Sequence, residues 1–387
     1  MHDVILDHIL EKFSFLTDVF SKPELKNFFL FMHAICFSPI KSIKGMADWY
    51  EDVDQSSLNR FLTQSPWELK KLFKGYHKEV KKQTRGKVVK LLIDDSKLKK
   101  TGECIQRAGW EFDHVEKRNI LCFSIVFAVI KIEGFDLPLP FAAEACMKKQ
   151  KGQKRKKSKI SLAMKMIKDF VKLTEGAKKR IITFDSWYCA QDLIDSIPKG
   201  VYWVTRLKFK DSRLVWLNGC WLPIWKFCSG VNSWNFKKVK VNDHYFWVHT
   251  AKIVIHGLGE VTIVLSKTSQ YARTYVIFIS NLEDAKEILE SYEDRWEIEV
   301  FFRAVKQNFG IGDVQMRKYL GNRRYWSMVL LTYSLISYLQ HLWRKTCTTA
   351  GETLAKLRKL LQNAAANYGM NFGRFTYLYV CEKIAKV

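Results

Sequence analysis

Four side chains in the stretch SYEDRWEIEVFFRAVKQ offer a phenol, a guanidinium, a carboxylate and an ammonium: Tyr292, Arg295, Glu299 and Lys306. On a helical wheel at about 100° per residue they share one arc of roughly 60°. Ile298, Phe301, Phe302, Val305 and Phe309 fill a neighbouring arc, a core-facing stripe. The spacing predicts one helix that buries its aromatic side and presents the four polar groups along an adjacent strip. A carboxylate flanked by cations suits a site that holds a metal ion and grips phosphates on either side of it. The same pattern also describes an amphipathic helix laced with Glu–Arg and Glu–Lys pairs, and geometry alone leaves both open.

The spacing Tyr292, Arg295, Glu299, Lys306 resembles the signature of a large subgroup of bacterial and archaeal insertion-sequence transposases of the DDE class. Trp296 after the Arg, Ile298 before the Glu, and Phe301-Phe302 extend the likeness. In that class the Glu is the third metal-binding carboxylate, so the resemblance demands two upstream Asp residues, each ending a strand. RIITFDSWYCA reads as a buried strand ending at Asp185, with Ser186-Trp187-Tyr188 turning into a helix. GKVVKLLIDDSKLKKTG reads as a strand from Val88 to Ile93 with Asp94-Asp95-Ser96 at its end. An Asp ending an apolar strand is common in α/β proteins. Three carboxylates in the order strand, strand, helix are more specific, and resemble the ribonuclease-H-like core of these transposases. Strand parity does not choose between Asp94 and Asp95, which leave the strand on opposite faces. The Asp-x-Ser/Thr reading frequent in the family favours Asp94, and Lys100-x-Gly102 resembles a sub-branch with an Asp-Asp-Ser/Thr start.

The resemblance implies that Asp94, Asp185 and Glu299 are the catalytic carboxylates and hold two Mg²⁺ ions, for which Mn²⁺ substitutes. It assigns Tyr292, Arg295 and Lys306 to the grip on terminal phosphates. The residue types suit the chemistry. Phosphodiester cleavage is an in-line displacement at phosphorus, and two divalent ions about 4 Å apart activate the nucleophile and stabilise the leaving oxygen. Such hard cations take carboxylate and phosphate oxygens, with no need of His or Cys. The implied activity is cut-and-paste transposition: binding of terminal inverted repeats in double-stranded DNA, nicking to expose 3′-hydroxyls, and joining to target DNA. Two ends cut in concert call for a homodimer in the synaptic complex. The rivals are a ribonuclease-H-like nuclease that only cuts, and a transposase-derived DNA-binding protein without catalysis. The complete Tyr-Arg-Glu-Lys set argues against the first, and the three intact acids against the second.

Composition agrees with a polyanionic partner. The 387 residues carry 64 Lys+Arg against 39 Asp+Glu, a net charge of +25 and a pI near 9.6. Nine Cys show no CxxC pair and no zinc spacing, which predicts reduced thiols. The N-terminus MHDVILDHILEKF contains acids and lacks the secretory pattern, so the expectation is a cytoplasmic protein. Trp326 to Leu342 is apolar but interrupted by Ser, Tyr, Gln and His, which predicts a buried helix rather than a membrane span.

The elements that must position these groups follow from pattern changes along the chain. The expected fold is α/β: a ribonuclease-H-like mixed sheet with a β-rich insertion, preceded by an all-α N-terminal domain and closed by C-terminal helices. Residues 1–85 read as a helical DNA-binding domain, in which SIKGMADWYEDVDQSSLNRFLTQ outlines a helix-turn-helix. Its second helix would start at Gln55-Ser56-Ser57, capped by Ser, and present Asn59, Arg60 and Thr63 to DNA. A plain αα-hairpin fits the same pattern. Residues 86–210 read as the first part of the core, with a strand from Asn119 to Ile132 and a return through Leu137 to Ala142. Eight of the twelve residues from 148 to 159 are basic, among them Lys154, Arg155, Lys156 and Lys157, and suit backbone phosphates. Residues 211–280 read as the insertion, 281–345 as the catalytic-helix part, and 346–387 as a helical tail. Trp216, Trp221, Trp225, Trp234 and Trp247 cluster in the insertion; most are expected in its core, and an exposed one would suit stacking on an unpaired base.

Overall fold

The computed structural model describes residues 12–50, 52–146, 158–208, 212–367, 369–375 and 377. The first block of sequence, rich in Phe and Leu at helical spacing, forms helices α1 (Lys22–Phe37), α2 (Ile43–Asp48), α3 (Gln55–Thr63) and α4 (Leu69–Thr84). Their starts are written locally. Ser21 and Glu24 form a capping box on α1, and the Ser42 hydroxyl accepts from Gly45 N at the start of α2. The cap of α3 is Asp54, which accepts from Ser56 N; the serines expected to cap stand inside the first turn.

β-branched and aromatic runs then build the sheet. Strands β1 (Val88–Lys99), β2 (Gly109–Asp113), β3 (Arg118–Ile132) and β4 (Leu139–Ala145) form an antiparallel set, in which β3 pairs with the other three. Helix α5 (Lys159–Leu173) crosses to β5 (Lys179–Phe184). A 3-10 turn (Ser186–Tyr188) and α6 (Gln191–Asp195) then lead to β6 (Tyr202–Leu207). β5 is parallel to β1, and β6 is parallel to β5. The β-rich segment supplies β7 (Leu214–Leu217), β8 (Cys220–Pro223), the short α7 (Ile224–Ser229), β9 (Lys237–Val241), β10 (His244–Ile255), β11 (Gly259–Lys267) and β12 (Val276–Ser280). It continues the core sheet through an antiparallel β6–β12 pair, giving the order β2-β3-β1-β5-β6-β12-β11-β10-β7-β8, with β4 on β3 and β9 on β10. The mixed sheet flanked by helices at both ends of the chain is the ribonuclease-H-like α/β architecture that the sequence led us to expect.

Four helices follow: α8 (Ala285–Glu293), α9 (Trp296–Gln307), α10 (Tyr319–Leu342) and α11 (Ala350–Asn367). α10 is buried over nearly its whole length, and Ser327, Thr332, Ser334 and Ser337 turn their hydroxyls back onto carbonyls four residues earlier. Arg324 on α10 donates to the carbonyls of Leu62, Ser65 and Trp67 and stacks on the Trp67 ring, 4.1 Å from its centroid. The N-terminal helices are therefore pinned to α10, and one hydrophobic core runs from Phe13 through the sheet to Leu357. No helix among the described residues is long and apolar enough to cross a membrane.

Candidate active site

β1 and β5 set the site. Their parallel register ends with Ile93 beside Phe184, so the next residues, Asp94 and Asp185, leave the paired segment at equivalent positions. Neighbours in parallel register project from the same face. The strand itself does not stop there, contrary to expectation: β1 runs on to Lys99 against β3, with Asp94 opposite Phe127 and Asp95 opposite Val126. What ends at Asp94 is the pairing with β5, which opens the gap between strands where the carboxylates lie.

The stretch expected to be one helix is two. α8 ends at Glu293 and α9 begins at Trp296; between them Arg295 N bonds to Tyr292 O and Ile298 N to Arg295 O, both three residues back. Tyr292 therefore sits on α8, Arg295 at the joint, and Glu299 and Lys306 on α9. The break re-aims the side chains without scattering them. Arg295 Nη1 donates to Asp94 Oδ2 at 2.8 Å and lies 3.6 Å from Glu299 Oε1. Its guanidinium is 5.5 Å from the Tyr292 ring centroid, and Asp185 is within its electrostatic reach. Lys306 is exposed, with Glu299 and Asp113 as its charged neighbours.

Two ion pairs dock the joint on the sheet. Lys90 and Lys131 face each other across β1 and β3; Lys90 Nζ meets Asp294 Oδ2 at 2.5 Å, and Lys131 Nζ meets Glu297 Oε1 at 2.9 Å. Sequence reading missed both lysines. Lys90 stands four residues before Asp94 in the same strand, hence on the same face, which is the signal that could have found it. Thr183 adds a tie, its hydroxyl donating to Ser291 O.

The reverse face of β1 is a second cluster. Asp95 Oδ2 accepts from Lys159 Nζ at 2.5 Å and Oδ1 from the Tyr188 hydroxyl at 3.1 Å, while Lys159 lies over the Trp187 ring. Burial and the nearby Asp95 and Asp94 carboxylates push the Tyr188 phenol far up, so it stays a donor. On the Asp94 side, burial lifts the carboxyl to about 6 and outweighs the Asp95 N–H bond and the Arg295 charge that oppose it.

A divalent cation suits part of this set. Asp94 and Glu299 already share one cationic nitrogen, and Asp185 is within electrostatic reach of the same guanidinium. Among the described residues no three His, Cys, Asp or Glu side chains yet stand close enough to hold a metal ion. Arg295 occupies the centre that they would have to close around.

The expected DNA-contacting residues lie elsewhere. Asn59 and Arg60 are exposed on α3, whose Leu58, Phe61 and Leu62 are buried against the body. Asn59 borders a groove shared with Gln55, Gln64 and the Gln315–Lys318 segment. Lys154, Arg155, Lys156 and Lys157 lie outside the described residues. Of the five insertion tryptophans expected mostly in a core, Trp216 and Trp221 are exposed on β7 and β8 at the end of the sheet, and Trp225 and Trp234 are exposed on α7 and on a 3-10 turn that follows it. Two other exposed tryptophans, Trp187 and Trp296, directly follow the residues Ser186 and Arg295 of the site.

Two family models match. One described as a transposase DDE domain covers residues 154–335, and one described as a DDE superfamily endonuclease covers residues 28–219. Asp94 and Asp185 fall in the second, and Asp185 and Glu299 in the first. No curated protein matches the chain. DDE-type endonuclease domains act on DNA and generally use divalent metal ions. With its ribonuclease-H-like sheet and matches that together run from residue 28 to 335, the chain belongs to the DDE class of transposases and endonucleases.

Proposed function

We propose that this protein is the transposase of an insertion sequence of the Tyr-Arg-Glu-Lys subgroup, which binds terminal inverted repeats, cuts them and joins the released 3′-hydroxyls to target DNA. Asp94, Asp185 and Glu299 are its catalytic carboxylates. The observation that supports this reading is Arg295, which lies 2.8 Å from Asp94 and 3.6 Å from Glu299 and within electrostatic reach of Asp185. Mg²⁺, or Mn²⁺ in its place, would supply activation of the attacking oxygen and stabilisation of the leaving one. Asp94 is preferred over Asp95 because Asp94 shares Arg295 with Glu299, and Arg295 is also within electrostatic reach of Asp185, whereas Asp95 is paired with Lys159 and Tyr188 on the opposite face. Tyr292, Arg295 and Lys306 grip the terminal phosphates. Lys154 to Lys157 contact backbone phosphate without reading sequence, and Asn59 and Arg60 read bases. The working unit is a homodimer holding two ends.

The test is incubation of the protein and Mg²⁺ with DNA carrying the inverted repeats that flank its gene, with the ends mapped. Cuts at the repeat ends that expose 3′-hydroxyls, followed by joined products, are expected. End-specific cutting without joining would turn the reading to a nuclease, and no cutting would leave a DNA-binding protein. Changing Asn59 and Arg60 to Ala should cost roughly 1–3 kcal/mol per lost base contact in discrimination between repeat and random DNA. An unchanged preference would remove α3 from recognition.

A further inference from the structure

We propose that Arg295 is the internal counter-ion of the carboxylate cluster in the metal-free protein, and that divalent ions displace it, so that metal loading frees the guanidinium to hold phosphate. The inference rests on the metal site proposed above and concerns its regulation. Three observations carry it. Nη1 lies 2.8 Å from Asp94 Oδ2 and 3.6 Å from Glu299 Oε1, the place that any cation shared by these two carboxylates must take. A second cation cannot enter at that range without moving the first, because like charges a few ångströms apart repel strongly in a partly buried site. The side chain is 16% exposed and its Nε is buried without a hydrogen-bond partner, so the present seat leaves part of the donor fork unused.

The displaced group has somewhere to go. Arg295 also lines a cleft of about 500 Å³ bounded by Tyr292, Glu293, Trp296 and the Asn242–His244 turn between β9 and β10. The turn is held to the joint by Asn242, whose amide donates to Glu293 Oε2 at 2.7 Å. Because Arg295 sits where α8 gives way to α9, its side chain faces the carboxylates on one side and this cleft on the other. Rotation from one to the other removes positive charge from the metal site and places it in the cleft beside the exposed Trp296.

The experiment is Mn²⁺ binding to the full chain without DNA, by calorimetry, in wild type, Arg295→Gln and Arg295→Lys. Removing the counter-ion should tighten Mn²⁺ binding by about tenfold or more in the Gln variant, with the Lys variant close to wild type. Equal or weaker binding in the Gln variant, with wild type still binding, would overturn this inference and leave the metal site standing. Absence of binding in every form would overturn both. Should the Gln variant fail to fold, the wild-type protein still decides. The Nε–H resonance of Arg295, assigned by its loss in Arg295→Lys, should move when Mg²⁺ is added, and an unmoved resonance at saturating Mg²⁺ refutes displacement.

Discussion

Asp94 and Asp95 are adjacent, identical in chemistry and both paired with a cation, yet the two faces of β1 use them differently. On one face Asp94 shares Arg295 with Glu299, beside a gap where β5 has stopped pairing. On the other, Asp95 has both oxygens taken by Lys159 and the buried Tyr188, and the effect is to tie the turn after Asp185 to β1. Asp94 shares its cation with a second carboxylate, whereas Asp95 is held by a lysine and a phenol that no other carboxylate contacts at ion-pair distance.

The largest effect that could break this comparison is on cleavage. Asp94→Ala should lower the rate of DNA cutting by at least about a hundredfold, near 2.7 kcal/mol. Asp185→Ala and Glu299→Ala should do the same, while Asp95→Ala stays within about tenfold, or 1.4 kcal/mol. An inactive Asp95 variant beside an active Asp94 variant would reverse the roles of the two faces.

Next comes stability against pH in the metal-free protein. A carboxyl raised to about 6 by burial binds its proton more tightly folded than unfolded. Stability is then greatest below the ordinary carboxylate value and falls as pH rises toward 6, by up to about 3 kcal/mol from this group. Urea unfolding at pH 4.5 and 6.5 should show the fall in wild type and a smaller one in Asp94→Asn. A full-sized fall in that variant would assign it to another group.

The smallest effects sharpen the contrast through the cations. Lys306→Ala should retain first-strand nicking but lose strand joining by a larger factor, since a phosphate grip matters most once an end must be held for the second displacement. Equal losses would make Lys306 mere support for Glu299. Lys159→Ala should instead cost about 1 kcal/mol of unfolding free energy, the scale of a partly buried pair, with the ratio of nicking to joining unchanged.

Much of this was legible along the chain. The strand runs before Asp94 and Asp185, the aromatic stripe of α9 and the β-rich stretch after residue 201 all declared themselves through local periodicity, which belongs to neighbouring residues. The break between α8 and α9 did not. At the break, Lys90 and Lys131, about 160 to 200 residues upstream, meet Asp294 and Glu297, contacts that no local pattern foretells. Nor did the exposure of Trp216 and Trp221, since a Trp in an alternating strand looks the same whether the strand is central or, like β7 and β8, at the end of the sheet.

By itself the sequence determined the residue types, their order as strand, strand and helix, the basic charge and the faces of each element, because those follow from backbone geometry and composition. Only the tertiary structure decided which aspartate stands beside Asp185, that one arginine joins Asp94 to Glu299, and that the N-terminal helices share a core with the sheet. Strand register and helix docking are set by contacts between residues far apart in the chain, and no local pattern encodes a distance between them.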